Sequence, residues 1–486
     1  MRLPELAGEA RLPLLRAQSY VSDLMTPTVR LGVTGLSRAG KTVFITALVR
    51  CLTEGGAVPT FGRLSGIAGF RAYLEPQPDD DIPRFQYEEH LAALTGAQPR
   101  WPESTRRISQ LRLTLEWPAA EGMLGLLGLT RRVHIDIVDY PGEWLIDLKL
   151  MSESYAEWSA DALALARSPS LEAVARPFLA FVGSLEPEAA ADEQTAIKGA
   201  RLFTDYLVRA RREAPWQSAL GPGRFLLPGD LEGSPQLTFF PLPLEAGQTK
   251  HARSLHGLLS RRFESYKSNI VEPFFKAHFS RLDRQIVLVD ALSALNGGAE
   301  ALANLERGLA GVLSAFRPGA SSWLSLFLPP RIDRIVFAAT KADHIHRTSH
   351  PRLEAILEKA TTRAAHKAKS AGAGIRCIAT AALRSTEDVE KKQAGQSYRC
   401  VRGVAMAGET VDGRRFDGKA RVVVFPGDLP LDPLDAFEPE AARSDHYSFV
   451  RFEPPVLRSG GDSTTPSWPH TGLDRVVAFL IGDLLP

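Results

Sequence analysis

The chain has 486 residues, of which 44% are hydrophobic and 23% are charged, an ordinary balance for a globular protein. Its length predicts about two to four domain-sized units, and its net charge of +2 gives no reason to expect a nucleic-acid partner. Cys51, Cys377 and Cys400 have neither zinc nor disulfide spacing, so we expect a reducing, cytoplasmic setting. The sequence shows no signal-peptide pattern and no apolar run long enough to span a bilayer.

Residues 1–27 carry scattered leucines among charged residues and are predicted to form an N-terminal helix or arm. Two positions are open for this arm, which could pack on the following domain or lie on a membrane. Because its polar face is not strongly basic, packing on the domain is favoured.

A strand, a glycine-bearing turn and a helix follow. Thr28–Thr34 is rich in the β-branched residues typical of strands, and apolar residues recur at helical spacing over Thr42–Leu52. Between them, Gly35–Thr42 (GLSRAGKT) fits the Walker A pattern G-x-x-x-x-G-K-[ST] at every fixed position. A chance match in a turn is the alternative, but it would not require the flanking strand and helix.

This loop has the residue types that bind a polyphosphate. Its glycines let successive backbone N–H groups point at phosphate, and the N-terminus of the next helix adds its dipole. Lys41 can reach the β- and γ-phosphates, and the Thr42 hydroxyl can ligate Mg²⁺. Arg38 could place a positive charge near the phosphates or pair with a neighbouring carboxylate. The predicted phosphate-binding residues are Gly35, Ser37, Arg38, Ala39, Gly40, Lys41, Thr42 and Val43.

Residues 54–104 are predicted to be loop-rich, with a short helix around Tyr87–Leu94. A predicted antiparallel hairpin follows, because Ile108–Leu115 and Val133–Val138 both alternate apolar and polar residues. The apolar tip between these strands, Met123–Leu129, is expected to be buried, with contact to a partner or a membrane as the alternative.

The second strand of the hairpin ends in Asp139-Tyr-Pro-Gly142-Glu143. An Asp at the end of such a strand holds the Mg²⁺ shell in P-loop NTPases, and the D-x-x-G spacing would let the Gly142 N–H contact the γ-phosphate. Small GTPases carry a Gln after this glycine to orient the attacking water, whereas this chain has Glu143. Two roles are open for Glu143, which could position or partly activate water, or form a salt bridge at a helix start.

The chain divides by pattern into further parts. Residues 28–150 and 284–383 contain the strands and motifs of one α/β domain, and the latter includes the nearly continuous apolar runs typical of central parallel strands. Residues 151–283 are mostly helical and indicate a large helical insert. Residues 384–468 are rich in Val, Arg, Gly and Pro and indicate a smaller β-rich insert, and residues 469–486 indicate a closing amphipathic helix of the α/β domain.

Strands that alternate with helices predict a doubly wound α/β fold, with ligands at the carboxyl ends of the strands. Thr340-Lys-Ala-Asp343 follows one buried strand, and Thr380-Ala-Ala382 follows the next. A carboxylate can accept hydrogen bonds from guanine N1–H and the 2-amino group together, and adenine lacks that pair of donors. The T-K-x-D motif therefore predicts guanine specificity, with an ordinary turn at a helix start as the alternative.

Four segments together resemble the YcjX family of bacterial P-loop proteins, which is described as GTPase-like and associated with stress. They are the loop G-L-S-R-A-G-K-T, the strand end D-Y-P-G-E-W, Arg281–Asp290 and the T-K-A-D motif. The resemblance covers nearly the whole chain. It implies a Ras-like GTPase domain of the P-loop NTPase class with family-specific inserts, and GTP/GDP and Mg²⁺ as cofactors.

Carried over by motif, the resemblance gives each matching residue a role. The phosphate and Mg²⁺ ligands would be Lys41, Thr42 and Asp139, Gly142 would sense the γ-phosphate, and guanine would be read by Thr340, Lys341, Asp343 and the backbone at Ala381 or Ala382. For the switch-I threonine, a catalytic and Mg²⁺-binding residue, we predict Thr105 because it lies just before the strand at Ile108. Thr60 and Ser104 are the alternatives.

We therefore expect a protein that binds guanine nucleotide and hydrolyses GTP slowly, as a switch in a bacterial stress or envelope-related process. Two alternatives stay open, namely an ATPase of the same fold with a mechanical or assembly role, and a nucleotide-binding scaffold without turnover. An unknown protein partner is expected. The apolar stretches Met123–Leu129 and Trp323–Leu328 raise the alternative that this partner is membrane-associated and that the protein lies peripherally at the inner membrane.

Overall fold

The structure is a computed structural model. It describes residues 26–35, 39–54, 67–103, 107–119, 130–213, 220–245, 251–314, 332–370, 372–393, 395–411, 413–438, 447–457 and 468–485. The predictions for residues 1–25 of the N-terminal arm, for the tip Met123–Leu129 and for Trp323–Leu328 lie outside these ranges.

Seven strands in the described ranges form one sheet. They are β1 Thr28–Gly35, β2 Arg71–Glu75, β3 Ser109–Pro118, β4 Thr130–Asp139, β5 Arg284–Val289, β6 Arg334–Ala339 and β7 Gly374–Ala379. Their order is β2-β3-β4-β1-β5-β6-β7. The pairs from β4 to β7 are parallel, whereas β3 pairs antiparallel with both β4 and β2. The predicted β3–β4 hairpin is confirmed, and the mostly parallel sheet fits a P-loop NTPase fold.

Helices cover both faces of this sheet. The helices described are α1 Lys41–Thr53, α2 Tyr87–Thr95, α3 Glu143–Ile146, α4 Tyr155–Ala166, α5 Glu172–Gly183, α6 Glu193–Glu213, α7 Gly223–Leu226, α8 Leu255–Tyr266, α9 Glu272–Ala277, α10 Ala291–Asn296, α11 Gly298–Ser314, α12 His350–Ser370 and α13 Leu473–Ile481. Within β5, Ile286 and Leu288 pack with α1 and α13, whereas Val287 and Val289 pack with α10, α11 and α12. Burial on both faces explains the nearly continuous apolar run of this strand.

The chain between β4 and β5 forms α3 to α9 around an aromatic core. The Trp158 ring stacks on Phe263 with ring centroids 5.1 Å apart, and the edge of Phe239 packs against it. This core belongs to the same apolar cluster as one face of the sheet. The first long helix of this region, α4, begins at Tyr155 because Ser154 caps it in a capping box with Glu157.

A second, smaller sheet lies between β7 and α13. Within the described ranges it consists of β8 Glu387–Gln393, β9 Gln396–Val404 and β12 Arg421–Val424, in the antiparallel order β12-β9-β8. A short hairpin, β10 Thr410–Val411 and β11 Arg414–Arg415, turns at Gly413 with a φ of 75°. These strands lie within residues 384–468, where the sequence predicts a β-rich region.

The helix predicted around Tyr87–Leu94 is confirmed as α2. The stretch 54–104 also contains β2, which the sequence did not predict and which pairs with β3 at the edge of the main sheet. Most of β2 is half-buried, so its sequence lacks the apolar signal of a central strand. Its pairing with β3 creates the strand.

Candidate functional site

A cavity of about 550 Å³ opens at the carboxyl ends of the central strands, a size typical of small-molecule sites. Its walls bring together three stretches that are far apart in sequence, namely the start of α1, the segment after β6 and the segment after β7. The predicted site residues that line it are Ala39, Gly40, Lys41, Thr42, Val43, Glu143, Thr340, Lys341, Asp343, Ala381 and Ala382. Gly35, Asp139 and Gly142 lie outside this lining, and Ser37, Arg38 and Thr105, with the switch-I alternatives Thr60 and Ser104, lie outside the described residues.

The start of α1 has the geometry of an anion site. A Cβ on Gly35 would lie 2.9 Å from the Cβ of Leu288, so the loop begins where only glycine fits. Gly40 has a φ of 83°, in the left-handed region that favours glycine. Among the described residues, no side-chain hydrogen bond caps the helix at Gly40, and the first turn of a helix presents N–H donors to an external acceptor. These groups, with Lys41, are suited to phosphate.

Asp139 and Thr42 are the described residues that could hold Mg²⁺. Asp139 ends β4 in register with Val33 of β1, which places it beside the strand that leads into the loop. Both Asp139 and Thr42 are buried. Within the described ranges, no group of three or more His, Cys, Asp or Glu side chains could hold a metal. A small ligand set completed by phosphate oxygens and water is what Mg²⁺ usually takes at nucleotide sites.

Glu143 starts α3 immediately after Gly142, and its carboxylate forms an ion pair with Arg211 of α6. This is the salt-bridged helix start, one of the two roles that the sequence left open. The Glu143 side chain is buried and still lines the cavity, as does Arg211. A carboxylate in the cavity wall would repel a phosphate. The neighbouring Arg211 guanidinium offsets this negative charge, so this part of the wall could still accept an anion.

The rest of the segment Glu143–Asp147 is held by residues of the helical region. The Arg224 guanidinium lies 3.4 Å from the centroid of the Trp144 ring. The Asp147 carboxylate accepts a hydrogen bond from the Gly223 N–H at 2.7 Å and another from the Tyr266 hydroxyl at 2.6 Å. Burial raises the pKa of Asp147 to about 6, against the lowering effect of these two donors.

At the other end of the cavity, Asp343 is fixed by the chain that follows β7. Its Oδ2 atom accepts hydrogen bonds from the Ser385 N–H at 2.7 Å and from the Ser385 hydroxyl at 2.8 Å. Two donors on one oxygen hold the carboxylate in a single orientation. The motif that predicts guanine is therefore supported by a residue 42 positions further along the chain.

Lys341 has a φ of 58° and forms an ion pair with Asp290, the residue after β5. Burial alone would raise the pKa of Asp290, but the Lys341 ammonium and the hydrogen bonds from Ser293 outweigh it and hold this pKa below its usual value. The ion pair anchors the ammonium group of Lys341, and Lys341 is one of the residues that line the cavity.

The wall beside Asp343 comes from the second sheet region and from the chain before β3. The Phe452 ring packs edge-on against His344 at 5.2 Å, and its carbonyl accepts a hydrogen bond from Trp101 Nε1 at 2.8 Å. The Ala381 N–H donates to the Thr471 carbonyl at 2.9 Å. The Ala382 carbonyl accepts a hydrogen bond from Trp468 Nε1 at 2.8 Å, and both alanines, the two backbone positions predicted to face a base, line the cavity.

The sequence matches the YcjX-like family, DUF463, over residues 29–485. The chain belongs to this family. A protein named Ras-like GTPase YcjX from Shewanella oneidensis is 34% identical over 491 residues, which cover 97% of each chain. Another of the same name, from Escherichia coli K12, is 36% identical over 474 residues, which cover 94% of this chain and 96% of the relative. The resemblance inferred from the four motif segments is confirmed.

Sequence reasoning missed four residues of this YcjX-like site, namely Arg211, Asp290, Ser385 and Phe452. Asp290 carried a usable signal, because it directly follows the buried strand β5, much as Asp139 ends β4. Ser385 follows a strand end closely and could have been considered for the same reason. Arg211 is one of several arginines at the end of a helical pattern, and nothing local marks it.

Within the described ranges, no helix is long and apolar enough to cross a bilayer.

Proposed function

We propose that this YcjX-like protein binds guanine nucleotide with Mg²⁺ and hydrolyses GTP slowly to GDP and phosphate. The observation that carries the proposal is that one cavity is lined both by Lys41 and Thr42 of the Walker A motif and by Asp343 of the T-K-x-D motif. The name of both relatives, Ras-like GTPase, supports the same activity.

At the phosphate end, the proposal gives each residue a separate task. The first N–H groups of α1 and the Lys41 ammonium bind the β- and γ-phosphates. Thr42 and Asp139 hold Mg²⁺, which neutralises phosphate charge, and the Gly142 N–H contacts the γ-phosphate. Gly35, Ser37, Arg38, Ala39, Gly40 and Val43 complete the loop, and Thr105 is the proposed switch-I residue.

At the base end, the Asp343 carboxylate accepts the hydrogen bonds of guanine N1–H and the 2-amino group. Thr340 and the Lys341 stem line the base or the ribose, and the Ala382 backbone faces the base. Ser385 supports this proposal because it fixes the orientation of the Asp343 carboxylate before any ligand arrives. The ion pair with Asp290 likewise fixes the position of the Lys341 side chain.

We expect slow turnover because water positioning is incomplete. In small GTPases an uncharged Gln orients the attacking water. Here Glu143 follows Gly142, and its carboxylate is paired with Arg211. Glu143 is still proposed to position water in the nucleotide-bound state, but because it also holds Arg211 it positions water less completely than a dedicated Gln, which favours a low basal rate.

We also propose a domain organisation and a setting. One α/β domain, formed by residues 28–150, 284–383 and 469–486, binds the nucleotide. The helical insert 151–283 and the β-rich insert 384–468 would bind a protein partner in the cytoplasm or peripherally at the inner membrane, in a stress or envelope-related process.

The test is a titration of the full chain with GDP, GTP, ADP and ATP in the presence of Mg²⁺, together with a measurement of GTP turnover. Asp343→Ala should weaken guanine-nucleotide binding by at least about 100-fold, because the guanine donors lose their acceptor. Asp161→Ala is the matched control, since Asp161 is exposed on α4 and pairs with Lys149.

Two outcomes would contradict the proposal. Equal or tighter ATP binding that Asp343→Ala leaves unchanged would make Thr340–Asp343 an ordinary turn and favour an ATPase of the same fold. Tight guanine binding without any turnover would favour the nucleotide-binding scaffold.

A further inference from the structure

Arg211 is a cationic side chain in the cavity wall that no sequence motif includes. It lines the same cavity as Lys41 and Thr42, and its described ion-pair partner is the buried carboxylate of Glu143. Its side chain is 24% exposed, so it reaches both the cavity and solvent. A second positive charge from the helical region therefore lines the cavity, paired with the residue that follows Gly142.

The packing of α6 fixes the direction in which Arg211 points. Phe203, Tyr206 and Leu207 are buried in the aromatic core, which sets the rotation of the helix about its axis. The side chains of the neighbouring Arg209 and Arg212 are 47% and 75% exposed, and neither lines the cavity. Arg211 is thus directed into the cavity by the helix that carries it.

Within the described ranges, the Arg211 guanidinium has donors left for a second acceptor. Its described hydrogen bond is to Glu143 through Nη2, whereas an arginine side chain carries five N–H donors in a planar fork. That fork matches the oxygen geometry of a phosphate, and its charge persists at all physiological pH values. Arg211 can therefore stay on Glu143 with one edge and contact a phosphate oxygen with another.

We propose that Arg211 is a catalytic residue that the helical region supplies, within the same chain, to the γ-phosphate of bound GTP. The proposal rests on the GTPase function proposed above. In the reaction, the water oxygen bonds to the γ-phosphorus as the bond from this phosphorus to the bridging oxygen breaks. GDP leaves with the electron pair of that bond, and the water proton passes to a phosphate oxygen. Arg211 stays protonated and stabilises the charge on the phosphate oxygens.

Glu143 is then a positioning residue for Arg211. Because Glu143 directly follows Gly142, the backbone that would contact the γ-phosphate is joined to the carboxylate that holds the guanidinium. A nucleotide that moves Gly142 would carry the Arg211 contact with it. The contact between Arg211 and the phosphate oxygens therefore depends on the presence of the γ-phosphate. This is expected of a contact that stabilises the transition state.

The experiment compares Arg211→Ala, Arg211→Lys and the control Arg212→Ala in the full chain. The first measurement is the affinity for a fluorescent GDP with Mg²⁺, with and without aluminium fluoride, which mimics the phosphoryl group in transfer. The second is GTP hydrolysis in single-turnover conditions. The control should behave as the wild type does, because Arg212 is exposed and pairs with Glu213 at 3.8 Å.

We expect aluminium fluoride to tighten GDP binding in the wild type and not in Arg211→Ala. Hydrolysis of bound GTP should fall by on the order of 100- to 1000-fold, while affinity for GDP alone stays within about threefold. Arg211→Lys keeps a positive charge beside the buried Glu143 and so protects the fold, but it lacks the planar fork. It should lose at least about tenfold in rate.

Several results would overturn the proposal. One is a fluoride effect and a hydrolysis rate in Arg211→Ala that match the wild type. Another is a loss of affinity for GDP and GTP alike with unchanged hydrolysis of bound GTP, because this would mean uniform binding. A wild-type rate in Arg211→Lys would also overturn it. A wild type that neither binds nor hydrolyses GTP would instead refute the proposed function, and this is visible before any substitution.

Discussion

The two ends of the cavity are built differently. At the proposed base end, Asp343 is fixed by two donors from Ser385, and Lys341 is fixed by Asp290. These supports come from segments that follow strands of the main sheet. At the proposed phosphate end, α1 begins with no described side-chain cap, and Glu143 with Arg211 of the helical region also lines the cavity.

This difference indicates how each end would respond to a ligand. The base end already has its recognition groups oriented, so little should move when a base binds. At the proposed phosphate end, Glu143 is paired with Arg211 of the helical region. A γ-phosphate bound there would add a new acceptor for Arg211 and so change this contact. Base affinity should therefore depend on local support, and phosphate affinity should depend on charge.

The largest expected effect is that of Lys41→Ala on triphosphate binding. GTP affinity should fall by on the order of 100- to 1000-fold, because a positive charge is removed from a partly desolvated phosphate site. The loss should grow from GMP to GDP to GTP, since Lys41 is predicted to reach the β- and γ-phosphates. Competition binding against a fluorescent guanine nucleotide measures all three affinities.

Lys276→Ala is the control for this series, because Lys276 is 70% exposed on α9 and pairs with Glu272. Equal losses of GMP, GDP and GTP affinity in Lys41→Ala would contradict the assignment of Lys41 to the phosphate end.

A second prediction concerns Asp147, which attaches the segment Glu143–Asp147 to the helical region, and it is tested by measuring stability. Burial raises the pKa of the Asp147 carboxyl from 3.8 to about 6, so the folded protein binds a proton that the unfolded chain releases above about pH 4. The contribution of Asp147 to the free energy of unfolding is therefore fully present below about pH 4. It is lost as the pH rises to about 6, and the loss amounts to roughly 3 kcal/mol.

Asp147→Asn removes this titration. Urea unfolding at a series of pH values should show the wild type losing stability relative to the variant between about pH 4 and pH 6, with no further divergence above that range. Affinity for GMP should not change, because Asp147 lies outside the cavity lining. Parallel pH profiles for the two proteins would refute the raised pKa.

The central strands and their following motifs were predictable from sequence. β5 and β6 are buried on both faces, so their apolar runs are local signals, and the glycines around Lys41 reflect a local backbone requirement. β2 and β8 were not predicted. β8, Glu387–Gln393, contains a single apolar residue and is a strand because it pairs with β9.

The site divides in the same way. Lys41, Thr42 and Asp343 belong to short motifs that a local pattern reveals. Arg211 contacts Glu143 across 68 positions of sequence, and Ser385 contacts Asp343 across 42. No local pattern encodes such contacts, because they depend on how the helical region and the segment after β7 pack against the main sheet.

The smallest expected effect is that of Ser385→Ala, which tests whether the base end is held by local support. The substitution removes the hydroxyl donor to Asp343 but keeps the backbone N–H donor. Guanine-nucleotide affinity should fall about three- to tenfold, the usual value of one hydrogen bond. The loss should be equal for GMP, GDP and GTP, whereas adenine-nucleotide affinity stays unchanged.

Ser280→Ala is its control, because the Ser280 hydroxyl donates only to the Lys276 carbonyl in an exposed turn among the described residues. A loss that grows with the number of phosphates would mean that Ser385 acts on the whole cavity, and unchanged guanine affinity would mean that the N–H donor alone orients Asp343. The two ends bind their parts of the ligand independently if Ser385→Ala gives an equal loss across the three nucleotides while Lys41→Ala gives a graded loss. Ser385→Ala would then change only the contribution of the base to the binding free energy, and Lys41→Ala only that of the phosphates.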